Sequence, residues 1–232
     1  ALSAKTGPRF GWSVRSDIHG AQTESEIDVL VWSDIVQASM DAGILRTYLI
    51  LARTAWTYIG SGALFRLMKL RRGPVLAALY PIGVLLLQLA VALGLVWGVS
   101  ALAGMFGTLA HWGGIASGLG LASALLTWFK RQDGRFFAYY LMHDYGFSAR
   151  WHGADPPALV NRMAEFRADI AEAMRQDWDE VLIVGHSSGA HLGVSILADL
   201  IRRGEVPDAG PEVSFLSLGQ VVPMVSYLPQ AK

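Results

Sequence analysis

The chain of 232 residues contains no cysteine, which excludes a thiol nucleophile, a thiolate metal site and any disulfide, and agrees with a cytoplasmic setting. It also lacks charge over a long stretch. From Gly73 through Phe129 there is no Asp, Glu, Lys or Arg, and His111 is the only histidine. There is no Gly-rich phosphate loop ending in lysine, no dinucleotide fingerprint, no His and carboxylate grouping with metal-ligand spacing, and no internal repeat. No cofactor and no metal are therefore expected. The 19 basic and 19 acidic residues balance. The basic ones are few and gathered beside the uncharged stretch, which argues against nucleic acid as a partner.

The uncharged stretch is long enough for two helices to cross hydrocarbon, which takes about 20 residues each. Leu76–Val99 supplies one, interrupted only by Gln88, and Met105–Phe129 supplies another. The glycines along it allow close helix packing, and the region around Ala116–Gly120 offers a small-residue face. Arg66, Lys69, Arg71 and Arg72 precede the first segment, Lys130, Arg131 and Arg135 follow the second, and the connection at Ser100–Thr108 carries no charge. By the excess of basic residues in cytoplasmic loops, the expectation is a multi-pass protein of the cytoplasmic (inner) membrane with both termini on the cytoplasmic side. Residues 42–72 read as a basic amphipathic helix beside this hairpin, breakable near Gly60-Ser61-Gly62 and suited to an anionic membrane surface.

Residues 1–41 read as N-terminal strands. Trp12–Arg15 and Glu24–Trp32 alternate, joined through a turn in Gly20–Ser25. Residues 130–157 form an aromatic segment with Phe136, Phe137, Tyr139 and Tyr140, expected near the bilayer surface. Residues 158–232 are expected to hold the core of the domain that the strands of residues 1–41 begin. Ala158–Trp178 carries apolar residues at helical spacing behind Pro156-Pro157, and Val213–Leu218 reads as a buried strand.

Within that last region Val181–Val184 is a β-branched apolar run that suits a buried parallel strand. It leads straight into Gly185-His186-Ser187-Ser188-Gly189, followed by helical sequence from Ala190 to Leu200. A strand that turns at once into a helix needs small neighbours for a strained serine to expose its hydroxyl at the helix N-terminus. This stretch, VLIVGHSSGA, resembles the nucleophile elbow of the α/β-hydrolase superfamily, in particular its serine esterases and lipases. The resemblance implies an α/β fold, a partial hydrolase parallel sheet with the transmembrane hairpin inserted in it. It implies Ser187 as catalytic nucleophile, the Ser188 N–H as half of an oxyanion hole, and Gly185, His186 and Gly189 as the elbow.

The rest of a triad is not legible. In that superfamily the acid and the histidine follow the serine, and only His191 does so here, four residues along the same helix. It is expected to pack beneath the elbow. His143 and His152 precede the serine, Asp199 and Asp208 lack the expected position, and His19-Gly20 reads as an exposed turn. The missing groups suggest a fragment whose last strands lie beyond Lys232. The expected function is cleavage of a hydrophobic ester, such as a lipid acyl ester, through a Ser187 acyl-enzyme. The competing expectation is an inactive hydrolase-like subunit of a larger membrane complex. The expected partners are membrane lipids, the ester substrate, and other membrane proteins through the hairpin.

Overall fold

The structure, a computed structural model, describes residues 2–4, 10–40 and 43–231. Three strands, β1 (Leu2–Ala4), β2 (Gly11–Ile18) and β3 (Ala21–Asp28), form an antiparallel sheet in that order. His19 and Gly20 form its tight turn with φ of +53° and +85°, the left-handed pair that matches the twist of a two-residue hairpin. Asp17 accepts the Gly20 N–H at 2.9 Å, and Arg15 lies opposite Glu24 with a 2.9 Å ion pair. A short helix α1 (Ser33–Met40) follows. Arg162 anchors it, donating to both Asp34 carboxylate oxygens at 2.9 Å and to the Val31 carbonyl at 2.6 Å.

Helices then dominate. Residues 42–72, read as one basic helix, divide into α2 (Ile44–Gly60) and α3 (Ala63–Leu70), because Gly62 turns the chain with φ +71°. A short α4 (Arg72–Ala78) leads to the two long helices, α5 (Tyr80–Gly104) and α6 (Thr108–Arg131), and on to α7 (Asp133–Phe136) and α8 (Ala138–Arg150). Leu51 of α2, Leu85 of α5, and Ala138, Tyr139 and Met142 of α8 meet in one buried cluster. The Tyr48 hydroxyl donates to the Leu85 carbonyl at 3.0 Å, and the Tyr139 hydroxyl to Gln88 Oε1 at 3.3 Å. Gln88 is thus a buried polar group with a partner, which removes the desolvation cost it would otherwise carry.

The last unit comprises α9 (Pro157–Ala173), β4 (Glu180–His186), α10 (Ser188–Arg202), β5 (Glu212–Leu218) and α11 (Val222–Ser226). Strands β4 and β5 pair in parallel, Val184 beside Leu216. Leu192, Ile196 and Leu200 of α10 recur every four residues, so one stripe faces Leu159, Phe166 and Ile170 of α9 and forms the second core.

The expected fold is overturned. Helix makes up 64% of the described residues, and the two sheets found among them are small and separate. A hydrolase sheet would join the early strands to β4 and β5 in one parallel array. Instead β2 and β3 satisfy each other's backbone through a tight hairpin, and β3 is exposed along its whole length. Among the described residues only two strands are parallel, and their outer face leaves Leu182, Val184, Leu216 and Leu218 exposed. The chain is a helical arrangement with two minor sheets.

Helices α5 and α6 form an antiparallel pair. A Cβ on Gly118 would lie 2.9 Å from Val96 Cα, and one on Gly114 would lie 2.6 Å from Ala103 Cβ, so these two glycines set the approach of the helices. Gly113, in contrast, faces open space. Gly118→Ala should therefore lower the thermal midpoint, at a cost of roughly 1–3 kcal/mol for overpacking. Gly113→Ala should raise stability by about 0.5–1 kcal/mol through helix propensity. Circular dichroism melts of the two full-length variants read the opposite signs, and equal shifts would contradict this packing.

By length and composition both helices could cross a membrane, with hydropathies of 2.3 and 1.3. The expected multi-pass placement in the cytoplasmic membrane, with termini and a hydrolase domain on its cytoplasmic side, is nevertheless overturned. The first turns of α5 belong to the packed bundle, where Pro81, Leu85 and Gln88 are buried and are held by Tyr48 and Tyr139. Beyond Gln88 about 16 residues project, roughly 24 Å of helix, less than the ~30 Å of a hydrocarbon core.

Candidate functional site

The run Val181–Val184 lies within β4, and the chain enters α10 at Ser188. Ser187, between them, has φ +53° and ψ −120°, a backbone region that non-glycine residues rarely adopt and that persists only where neighbours enforce it. Its N–H donates to the Leu218 carbonyl of β5 at 2.9 Å, and its carbonyl accepts from Ala190 at 3.1 Å. A Cβ on Gly185 would meet Ala190 Cα at 2.6 Å and Gly189 O at 2.8 Å, whereas Gly189 has open space around it. Only the first glycine is therefore required by packing. His186 is exposed, on the edge facing Gly219.

The chemistry expected at this junction is not assembled. The Ser187 hydroxyl makes no hydrogen bond, to a histidine or otherwise, among the described residues. His143 Nε2 lies 3.1 Å from the Thr47 hydroxyl, and the His152 carbonyl accepts the Gln230 N–H. Among the described residues no three His, Asp or Glu side chains converge as a metal site would require. A serine without a base remains a weak nucleophile. The serine-hydrolase function, the ester-cleaving enzyme and the esterase or lipase assignment are corrected accordingly, as is the hydrolase-like subunit, because the fold is not of that kind.

No protein-family model matches the chain, and comparisons with curated proteins and with solved structures found no match. The resemblance rests on the ten residues of the junction alone.

The structure does bring together a group that the sequence reading missed. Asp144, from α8, accepts the Ser188 hydroxyl at 3.2 and 3.3 Å. It shares a cleft with His191, Ser148, Asp155 and Trp32. The space between them is about 30 Å³, room for one or two waters and too little for an acyl group. Burial pushes the Asp144 carboxyl above its ordinary value, and the Ser188 hydrogen bond only partly offsets this. Burial lowers the His191 imidazole, with Asp155 pulling the other way. His191 is 9% exposed, and its Nδ1 has no hydrogen-bond partner among the described residues. The one signal in the sequence was an isolated acid in the aromatic, apolar run from Phe136 to Phe147.

The pH dependence follows from these directions. Between 3.8 and its raised value the folded Asp144 keeps a proton that the unfolded chain has lost, so stability falls as pH rises through that window. His191 acts oppositely, since its contribution is present above 6.5 and is lost as pH falls toward the lowered value. Asp144→Asn keeps an acceptor for Ser188 and removes the buried charge. It should raise the thermal midpoint at pH 8 by a few degrees, on the order of 1 kcal/mol, and do little at pH 4. A larger loss at pH 8 than at pH 4 would contradict this account.

A group of strongly exposed apolar side chains lies elsewhere, at the projecting end of the α5–α6 hairpin. Trp97, Leu102, Met105, Phe106, Leu109 and Trp112 are 64–88% exposed. No charged side chain lies among them, and His111 turns inward so that its Nδ1 lies 2.9 Å from the Ser100 carbonyl.

Proposed function

We propose that the chain is a lipid-associating module that seats the projecting end of the α5–α6 hairpin among acyl chains, entering a bilayer from one side. The observation that carries this reading is the uncharged apolar end, exposed where a water-facing helix would be polar. In the projecting part of α5, exposed Val91 and Leu102 point to one side and exposed Leu93 and Trp97 to another. A protein partner covers one stripe of a helix, whereas an acyl phase surrounds it.

Trp128 also fits this placement: it stands exposed near the foot of the hairpin, at the level where an amphipathic ring favours the boundary between headgroups and acyl chains. One-sided entry matches the projecting length, which at roughly 24 Å reaches past the midplane of a ~30 Å hydrocarbon core and stops short of its far side.

The test is flotation of the full chain, diluted from detergent, with phosphatidylcholine vesicles at high salt. Co-flotation that persists at about 1 M salt is expected, because acyl contacts are not screened. A chain that stays at the bottom of the gradient, as monomers or as self-assembled oligomers, would overturn the reading in favour of a protein partner.

A further inference from the structure

Helix α2 has two apolar faces where a helix at the surface of a soluble bundle has one. Thr47, Leu51, Thr54 and Tyr58 are buried in the bundle. On the opposite side Leu45, Leu49, Trp56 and Ile59 recur at intervals of three, four and seven residues, and are 51–80% exposed. Arg46 and Arg53, seven residues apart and also exposed, run beside this outer stripe. The Tyr48 hydroxyl on the Leu85 carbonyl places α2 at the foot of the hairpin.

The charge around it is one-sided. From Ala42 through Gln132 there is no Asp or Glu, while eight Lys and Arg lie in the same stretch. All 19 acidic residues are elsewhere, although the whole chain is neutral. Lys69, Arg71, Arg72 and Arg131, at the two feet of the hairpin, are exposed like Arg46 and Arg53.

We infer that α2 is an interfacial helix that lies in the headgroup layer of an anionic bilayer. Its outer stripe sinks into the boundary, and Arg46 and Arg53 meet lipid phosphates. An apolar stripe alone would suit any apolar partner. The stripe combined with an acid-free, basic surround fits a surface that is apolar beneath and negative above. This inference rests on the lipid reading of the hairpin for its partner and adds the class of lipid: anionic phospholipid, chosen through α2 and not through the hairpin end.

The two parts are separable by experiment. The full chain is floated with phosphatidylcholine vesicles and with vesicles in which one lipid in three is phosphatidylglycerol. Arg46→Gln/Arg53→Gln is compared with Arg46→Lys/Arg53→Lys, each checked for unchanged circular dichroism. At roughly fivefold per basic residue, the glutamine pair should lose about 25-fold in partitioning to anionic vesicles and nothing on neutral ones, and the lysine pair should retain binding. Raising salt from about 0.1 M to about 1 M should remove the preference for anionic vesicles as a whole. Equal partitioning of the native chain to both vesicles, or an anionic preference untouched in the glutamine pair, would overturn the inference. Arg-dependent binding to anionic vesicles with none to neutral ones supports the α2 assignment and refutes hairpin insertion.

Discussion

Met105→Asp/Phe106→Asp is expected to abolish binding to neutral vesicles while leaving the fold intact. Both residues sit at the connection of α5 and α6 and are 80% and 86% exposed. Substitutions at such positions change stability by no more than about 0.5 kcal/mol. Within hydrocarbon, in contrast, each carboxylate costs about 2.5–3.5 kcal/mol. Two together should reduce partitioning by roughly three to five orders of magnitude. A control at the outer face of β4, Val184→Asp, lies outside the hairpin and should leave binding unchanged. Retained flotation of the tip variant would mean that the tip stays in water and that acyl chains are not its partner.

The second large effect is structural. Leu85→Ala should destabilise the chain by about 2–5 kcal/mol, because Leu85 has no exposed surface and packs against α2 and α8 at once. At roughly 2–4 °C per kcal/mol for a chain of this size, the thermal midpoint should fall by about 5–15 °C. Its neighbour Leu86 is 49% exposed, and Leu86→Ala should cost far less. The contrast shows that α5 is enclosed on one face at this level and open on the other. Similar losses at both positions would mean that α5 is enclosed on all sides at this level.

Local elements were readable from local signals. The β-branched run before Gly185, the small residues around Ser187 and the amphipathic repeat after Ala190 describe a strand, a turn and a helix within twenty residues. His19-Gly20 marks a turn by the same kind of evidence. What the sequence could not convey is which surfaces meet. Whether β2 and β3 join β4 in one sheet depends on pairing across more than 150 positions, and the ten residues around Ser187 carry no information about it. The hydrolase expectation extended a local motif to a global topology, and the global topology differs.

The polar cleft was hidden for the same reason. Asp144 and Ser188 are 44 residues apart, and neither carries a motif that names the other. Their contact exists because α8 packs against the start of α10. The hairpin was legible as two long apolar helices, since that is a matter of composition. Its anchorage at Leu85 and Gln88 was not, because Tyr48 and Tyr139 reach it from distant helices. That anchorage changes two spans into a shorter projecting end.

The most direct test of the central claim uses the absence of native cysteine. Phe106→Cys in the full chain, carrying a nitroxide label, is bound to phosphatidylcholine vesicles, and its collisions with dissolved oxygen and with a water-soluble nickel complex are compared. If the hairpin end lies among acyl chains, oxygen should relax the label far more effectively than the nickel complex, whether that complex is outside or trapped inside the vesicles. A label reached by nickel from outside would place the end in water, and one reached only from inside would restore a full crossing; either result contradicts one-sided insertion.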